Sequence, residues 1–245
     1  MDTIILAPGR IRRRVIGITL AVGLLSLLLS ACGDGVNQSI DLDPGSTHES
    51  DFNTVNGSIT VGQGASVRGN LATVNGAIRI ESESEIGSAE TVNGGIRIED
   101  GVRSGHLTTV NGNIRMGENN TVAGDIQTVN GAIGLGRDSL VEGSINNSNG
   151  GITVDGGRVA GNISTSTGDV RIINGGKVSG DVHIKASRRG DMRRDVRVVV
   201  GENAVIEGHL QIERRVELYV HESAEIGELS GAEPESFTGS EPARR

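Results

Sequence analysis

The tetrapeptide Thr-Val-Asn-Gly starts at Thr54, Thr73, Thr91, Thr109 and Thr128, and degenerate copies start at Asn147 and Thr165, in steps of 19, 18, 18, 19, 19 and 18 residues. A period of this size is the mark of a repeat architecture in which each unit is one supersecondary element. Apolar residues alternate within every unit, as Ile59/Val61, Ile78/Ile80, Ile96/Ile98, Ile114/Met116, Ile133/Leu135, Ile152/Val154 and Val170/Ile172. A second apolar pair follows later in the unit, for example Val67/Leu71, Val122/Ile126 and Val141/Ile145. Period-two alternation of β-branched residues between glycines reads as short strands with one buried face. Each unit therefore holds about three short strands, and none can bury its apolar face without its neighbours. Stacked at the interstrand spacing of about 4.8 Å, such units form a parallel β-helix, and the general hand of parallel crossovers makes it right-handed. The fold class is all-β, a single right-handed parallel β-helix of about ten 18–19-residue coils.

Composition agrees with thin repeated layers. Aromatic residues make up 1% of the chain, while glycine reaches 38 residues. A conventional globular core of this size uses aromatics, and a strict period argues against low-complexity disorder. The array is expected over residues 35–230, with residues 35–53 as a first coil carrying Ile40, Leu42 and Phe52. Residues 184–192 break the period and read as an irregular loop. Residues 231–245, with Pro234 and Pro242, read as a disordered tail. Arg103 stands where an apolar residue is expected, which predicts a shifted register that turns Val102 inward.

The N-terminus has the build of an export signal. Arg10, Arg12, Arg13 and Arg14 precede an apolar run at residues 15–29, and its roughly fifteen residues fall short of the roughly 20 that span a bilayer. Leu29, Ser30 and Ala31 then precede Cys32, the sole cysteine. This tetrapeptide resembles the lipobox of bacterial lipoproteins. The resemblance implies a signal peptide over residues 1–31, cleavage before Cys32, acylation of that cysteine and a short lipidated start at residues 32–34. The partner it implies is a membrane, bound through the acyl chains. Gly33 rather than aspartate follows the cysteine, which in Gram-negative lipoprotein families favours the outer membrane over the inner.

Three groups of polar residues recur at fixed places. Asn56, Asn75, Asn93, Asn111, Asn130 and Asn149 predict a structural ladder of stacked amides, with each Asn-Gly pair in a turn of positive φ. Arg79, Arg97 and Arg115 lie between the two buried positions of successive units, and Arg171 takes the same place further on. They read either as a solvated face, with Glu81 and Glu99 nearby, or as an anion-binding stripe. Arg188, Arg189, Arg193 and Arg194, with Lys185 and Arg197, form a second basic cluster that reads the same two ways. The net charge is −8, and residues 1–31 contain four of the arginines but one acidic residue, so the remainder is more acidic still. Such a chain is a poor general binder of nucleic acid. The five histidines match no metal spacing, and there is no nucleophile elbow or phosphate loop. No enzyme activity, metal or cofactor is expected.

The Thr-Val-Asn-Gly-x-Ile-x-Val units resemble bacterial β-strand-repeat proteins described as adhesin-like. The glycine-spaced stretch around residues 200–210 also resembles bactofilins, cytoskeletal proteins that polymerise end to end. The first resemblance implies a displayed interaction module that meets a cell-envelope polyanion or a protein. The second implies self-association, although an export signal departs from the cytoplasmic place of a bactofilin. Both readings of function stay open at this point.

Overall fold

The structure is a computed structural model, and it describes residues 37–186 and 195–242. It is all-β and entirely parallel, a solenoid of about ten turns with three faces. On the first face, strands such as Ile59–Val61, Ile78–Ile80 and Ile96–Ile98 belong to an eleven-stranded sheet. The second face carries two-residue strands such as Ser66–Val67 and Glu85–Ile86, and the third carries Leu71–Thr73, Ala89–Thr91 and Leu107–Thr109. The expected first coil is present, with Ile40 in register with Ile59 and Phe52 with Leu71.

Register explains why the core needs no aromatic. Ile59, Ile78, Ile96, Ile114, Ile133 and Ile152 align one above another, each at most 1% exposed. Val67 and Ile86 stack on the second face, and Leu107, Ile126 and Ile145 on the third. Like side chains meet at most levels, so medium-sized branched residues fill most of the interior. Both phenylalanines sit at the ends instead. Phe52 packs edge-on against His48 in the first coil (5.2 Å between ring centroids), and Phe237 against His221 in the last (5.1 Å).

The repeated tetrapeptide is the corner between the third and first faces. Its threonine points inward and is buried, and its hydroxyl bonds the preceding coil. Thr73 Oγ1 donates to the Gly57 carbonyl at 2.8 Å, Thr91 to Gly76 at 2.9 Å and Thr109 to Gly94 at 2.8 Å. Asn147 replaces threonine in a degenerate copy and does the same work through its amide, donating to the Gly131 carbonyl at 2.9 Å.

The glycine of the corner is there for a reason other than the expected one. Of the seven, only Gly150 has positive φ. At Gly76, Gly94, Gly112 and Gly131 a Cβ would fall on the carbonyl oxygen of the preceding corner glycine, closer than real contacts allow. Close approach of backbone to backbone sets this column, which corrects the expectation of a left-handed turn.

Three further expectations are corrected. Ile184 closes the strand Val182–Ile184 with no exposure, so the period breaks after it; residues 187–194 lie outside the described residues. Arg103 causes no shift of register: it is exposed and pairs with Thr121, while Ser104 takes the core column opposite Val122. Val102 does turn inward, at 1% exposure. Finally, residues 231–242 are not a disordered tail. Glu235–Phe237 adds an eleventh strand to the first face. Beyond it Glu241 pairs with Arg171 at 2.7 Å, and the Pro242 carbonyl accepts from Arg197 at 3.2 Å. The segment has something to cover, because Val199 and Tyr219 point outward from the first face yet are 2% and 3% exposed.

The corner makes a paired prediction for thermal or denaturant unfolding. Gly94→Ala forces Cβ against a backbone oxygen that cannot retreat without parting two coils, and should cost at least about 3 kcal/mol. Thr91→Val keeps the shape but strands the Gly76 carbonyl, and should cost about 1–2 kcal/mol.

Candidate functional site

Much of the polar surface is committed to holding coils together. The asparagine ladder runs as expected, with each amide nitrogen donating to the amide oxygen of the preceding coil. The distances are 2.7 Å from Asn75 to Asn56, 2.9 Å from Asn93 to Asn75, from Asn111 to Asn93 and from Asn130 to Asn111, and 2.8 Å from Asn149 to Asn130. It extends one step past the expected end, since Asn56 donates to Asn37 at 2.6 Å, and Thr167 closes the other end by donating to Asn149 at 2.8 Å.

A second ladder was not expected. At the corner between the second and third faces, a side chain accepts a bond from the backbone N–H at the same place in the next coil. Asp51 receives from Asn70 (2.7 Å), Asn70 from Ser88 (2.9 Å), Ser88 from His106 (3.1 Å) and His106 Nδ1 from Asp125 (2.9 Å). The series continues through Asp125, Ser144, Asn162 and Asp181 to the N–H of His209. The sequence signal is a Gly-(Asn, Ser, His or Asp) pair that recurs from Gly69-Asn70 to Gly208-His209, with Ser50-Asp51 in its place in the first coil. It escapes a search for identical residues because only the acceptor atom is shared.

Polar bonds of the same kind hold the histidines. His106 is an acceptor in the second ladder; His48 meets the Ser46 hydroxyl at 3.0 Å, His209 that of Ser230 at 2.7 Å and His221 that of Ser223 at 2.8 Å. His183 Nε2 stands 3.1 Å from a Glu213 carboxylate oxygen. Among the described residues no three His, Cys, Asp or Glu side chains gather as metal ligands, and no helix is long and apolar enough to cross a membrane.

What the lattice does not use lies on the first face. Arg79, Arg97 and Arg115 are in strict register on three successive strands, all exposed. Arg97 Nε holds Glu99 at 2.7 Å, and that carboxylate keeps the guanidinium charged above its ordinary range. Arg79 and Arg115 have no ion pair among the described residues. Glu81, expected to offset the row, instead accepts from the Gln63 backbone at 3.2 Å. The column continues from Arg115 to Gly134, Thr153 and Arg171, so Arg171 shares the line but stands apart, held by Glu241.

Comparison with protein-family models, with curated proteins and with solved structures finds no match. The candidate site therefore rests on its own geometry. It is a flat sheet face with three aligned guanidinium groups, flanked by a shallow depression at Gly134. Arg197, of the second basic cluster, is not part of it: the group lies over the Tyr219 ring at 4.8 Å. Arg188, Arg189, Arg193 and Arg194, and the lipobox residues Leu29, Ser30, Ala31 and Cys32, lie outside the described residues.

On the third face, half-buried Glu90 sits opposite Ala72 and Thr108. Burial pushes its carboxyl up, partly offset by His106. A raised carboxyl pKa means that the fold favours the neutral acid. This contribution is complete below the ordinary carboxylate range and is lost as pH rises through the raised value. Glu90→Gln should therefore melt higher than wild type at pH 7, by on the order of 1 °C after allowance for solvent screening. The difference should vanish near pH 4; an equal gain at both pH values would assign it to packing.

Proposed function

We propose that this chain is an exported, lipid-anchored interaction protein, adhesin-like in the broad sense, whose β-helix presents the first face to anionic polymers of the cell envelope. The observation that carries the reading is the in-register column of Arg79, Arg97 and Arg115. Three like charges spaced about one interstrand distance apart repel one another, by a few tenths to about 1 kcal/mol per pair. A polyanion lying along the column turns that cost into attraction. Around Arg79, Arg97 and Arg115 the strands are in strict register and the arginines are exposed, so the face suits an extended ligand better than a small molecule enclosed in a cleft.

The anchor rests on the sequence. The basic start, the short apolar run and Leu29-Ser30-Ala31-Cys32 together support cleavage and acylation at Cys32, with the outer membrane favoured by Gly33. Fractionation compares wild type with Cys32→Ala: wild type should partition with membranes and the variant should be soluble. Recovery of wild type as a soluble protein would overturn the anchor.

The binding reading is tested with dextran sulfate as a generic polyanion. Wild type should bind in a salt-sensitive manner. The triple reversal Arg79→Glu, Arg97→Glu, Arg115→Glu should weaken binding at least tenfold with an unchanged melting curve. Unaltered binding by the triple variant would remove the proposal.

One observation favours a second reading, self-assembly of the bactofilin type. Among the described residues, strands Ile40–Leu42, Thr47–His48 and Phe52–Thr54 pair on one side only, and unpaired edges template further strands. Filaments of the purified protein in electron microscopy would support assembly, and discrete short rods would favour the displayed module.

A further inference from the structure

Gly134 is out of place by the rules that govern the other glycines. It lies in the middle of the strand Ile133–Leu135, in the outward column between Arg115 and Thr153. It does not have positive φ, and a Cβ built on it meets nothing within 4 Å. Glycine inside a strand is destabilising by roughly 0.5–1 kcal/mol relative to alanine. Where neither backbone conformation nor crowding asks for it, close approach of a ligand to the backbone is a remaining reason for it. Gly134 lies in the floor of a shallow, open depression of about 370 Å³, lined by Arg115, Met116, Gly134, Thr153 and Asp155 among others.

The polar groups around this depression are of three kinds. The Arg115 guanidinium has no ion pair among the described residues. Thr153 is half-buried, and no hydrogen bond of its hydroxyl is found there. Asp155 uses Oδ1 to accept from Asn174 Nδ2 at 2.6 Å, which fixes the carboxylate and leaves its other oxygen as an acceptor. A cation beside a hydroxyl and a carboxylate acceptor does not suit a bare phosphate, which Asp155 would repel. It suits a ligand that carries one negative charge and several hydroxyl groups.

We propose that the Gly134 depression is the seat of one residue of an acidic polysaccharide, a uronic acid with its carboxylate on Arg115 and its hydroxyls on Thr153 and Asp155. This deepens the polyanion reading above and rests on it. The glycan lies along the arginine column, and those of its carboxylates that face the sheet meet the arginines beyond Arg115. One pyranose residue of an extended chain is close in length to one coil spacing of about 4.8 Å, so an acidic polymer can follow the column coil by coil. The seat takes the end of the chain. Past Thr153 the column is closed by Glu241 on Arg171, a carboxylate that turns a further uronate away.

The test uses the full-length protein in detergent, with polygalacturonate as the probe and its fully methyl-esterified form as the uncharged control. Wild type should bind the acid polymer and not the ester. Gly134→Val fills the seat with a residue that strands prefer, so it should melt at or above wild type while binding polygalacturonate at least tenfold more weakly. Thr153→Val keeps the shape, removes one hydroxyl and should weaken binding severalfold. Dextran sulfate binding should depend on the arginines and be nearly insensitive to either seat variant. Wild-type affinity for polygalacturonate in both seat variants would overturn the seat and leave the arginine column standing. Loss of no binding in the triple arginine variant would instead remove the column. Binding of wild type to phosphatidylglycerol vesicles but not to polygalacturonate would also overturn the proposal.

Discussion

The contact between one corner glycine and the carbonyl of the next governs the molecule. Parallel strands fix the coils about 4.8 Å apart, and at that spacing the Thr-Val-Asn-Gly corners touch backbone to backbone. Glycine is the residue that permits the contact, and the threonine hydroxyl satisfies the oxygen so enclosed. With those two positions fixed, the intervening valine and asparagine must point outward. The asparagines then stack at the right distance to bond amide to amide. A single interaction thus sets the corner, the inner hydroxyl column and the outer amide column together. It also makes each coil depend on its neighbours for polar groups as well as apolar ones, which is the condition under which a solenoid folds as an array.

Legibility in the sequence followed the same logic. Features that the lattice enforces by identity were readable, because Ile stacks on Ile and Asn on Asn at equal intervals. The second ladder was not, since aspartate, asparagine, serine and histidine all offer an acceptor at similar reach and the lattice accepts any of them. Ser104 was missed for a related reason: an exposed arginine beside it drew attention from a small polar residue in the core column. The closing segment failed differently. Its order depends on Val199 and Tyr219, outward-facing apolar residues on strands distant in sequence, and nothing local to residues 231–242 announces that they need a cover. Composition there, rich in Gly, Pro and Glu, pointed to disorder, and the tertiary context overrode it.

The arginine column was legible as a pattern, and the structure changes what it means. Register turns three residues spaced 18 positions apart into neighbours on one line, of which Arg97 alone makes an ion pair among the described residues. The depression beside them could not be read from a chain containing 38 glycines. Gly134 stands out only when each of the other described glycines has a steric or conformational reason, or a place outside a strand.

The first face itself supplies the comparison that separates need from use. The same outward column holds Thr60 before the arginines and Thr153 after them, in equivalent strands with equivalent pairing. Threonine is a good strand residue that carries no charge to repel its neighbours, so the lattice is served as well or better without arginine. Glycine at position 134 is a second departure in the same column, again in the unfavourable direction for a strand. Two departures that each weaken the sheet, adjacent to one another between Thr60 and Thr153, are the pattern expected where a surface is shaped for a ligand and not for its own stability.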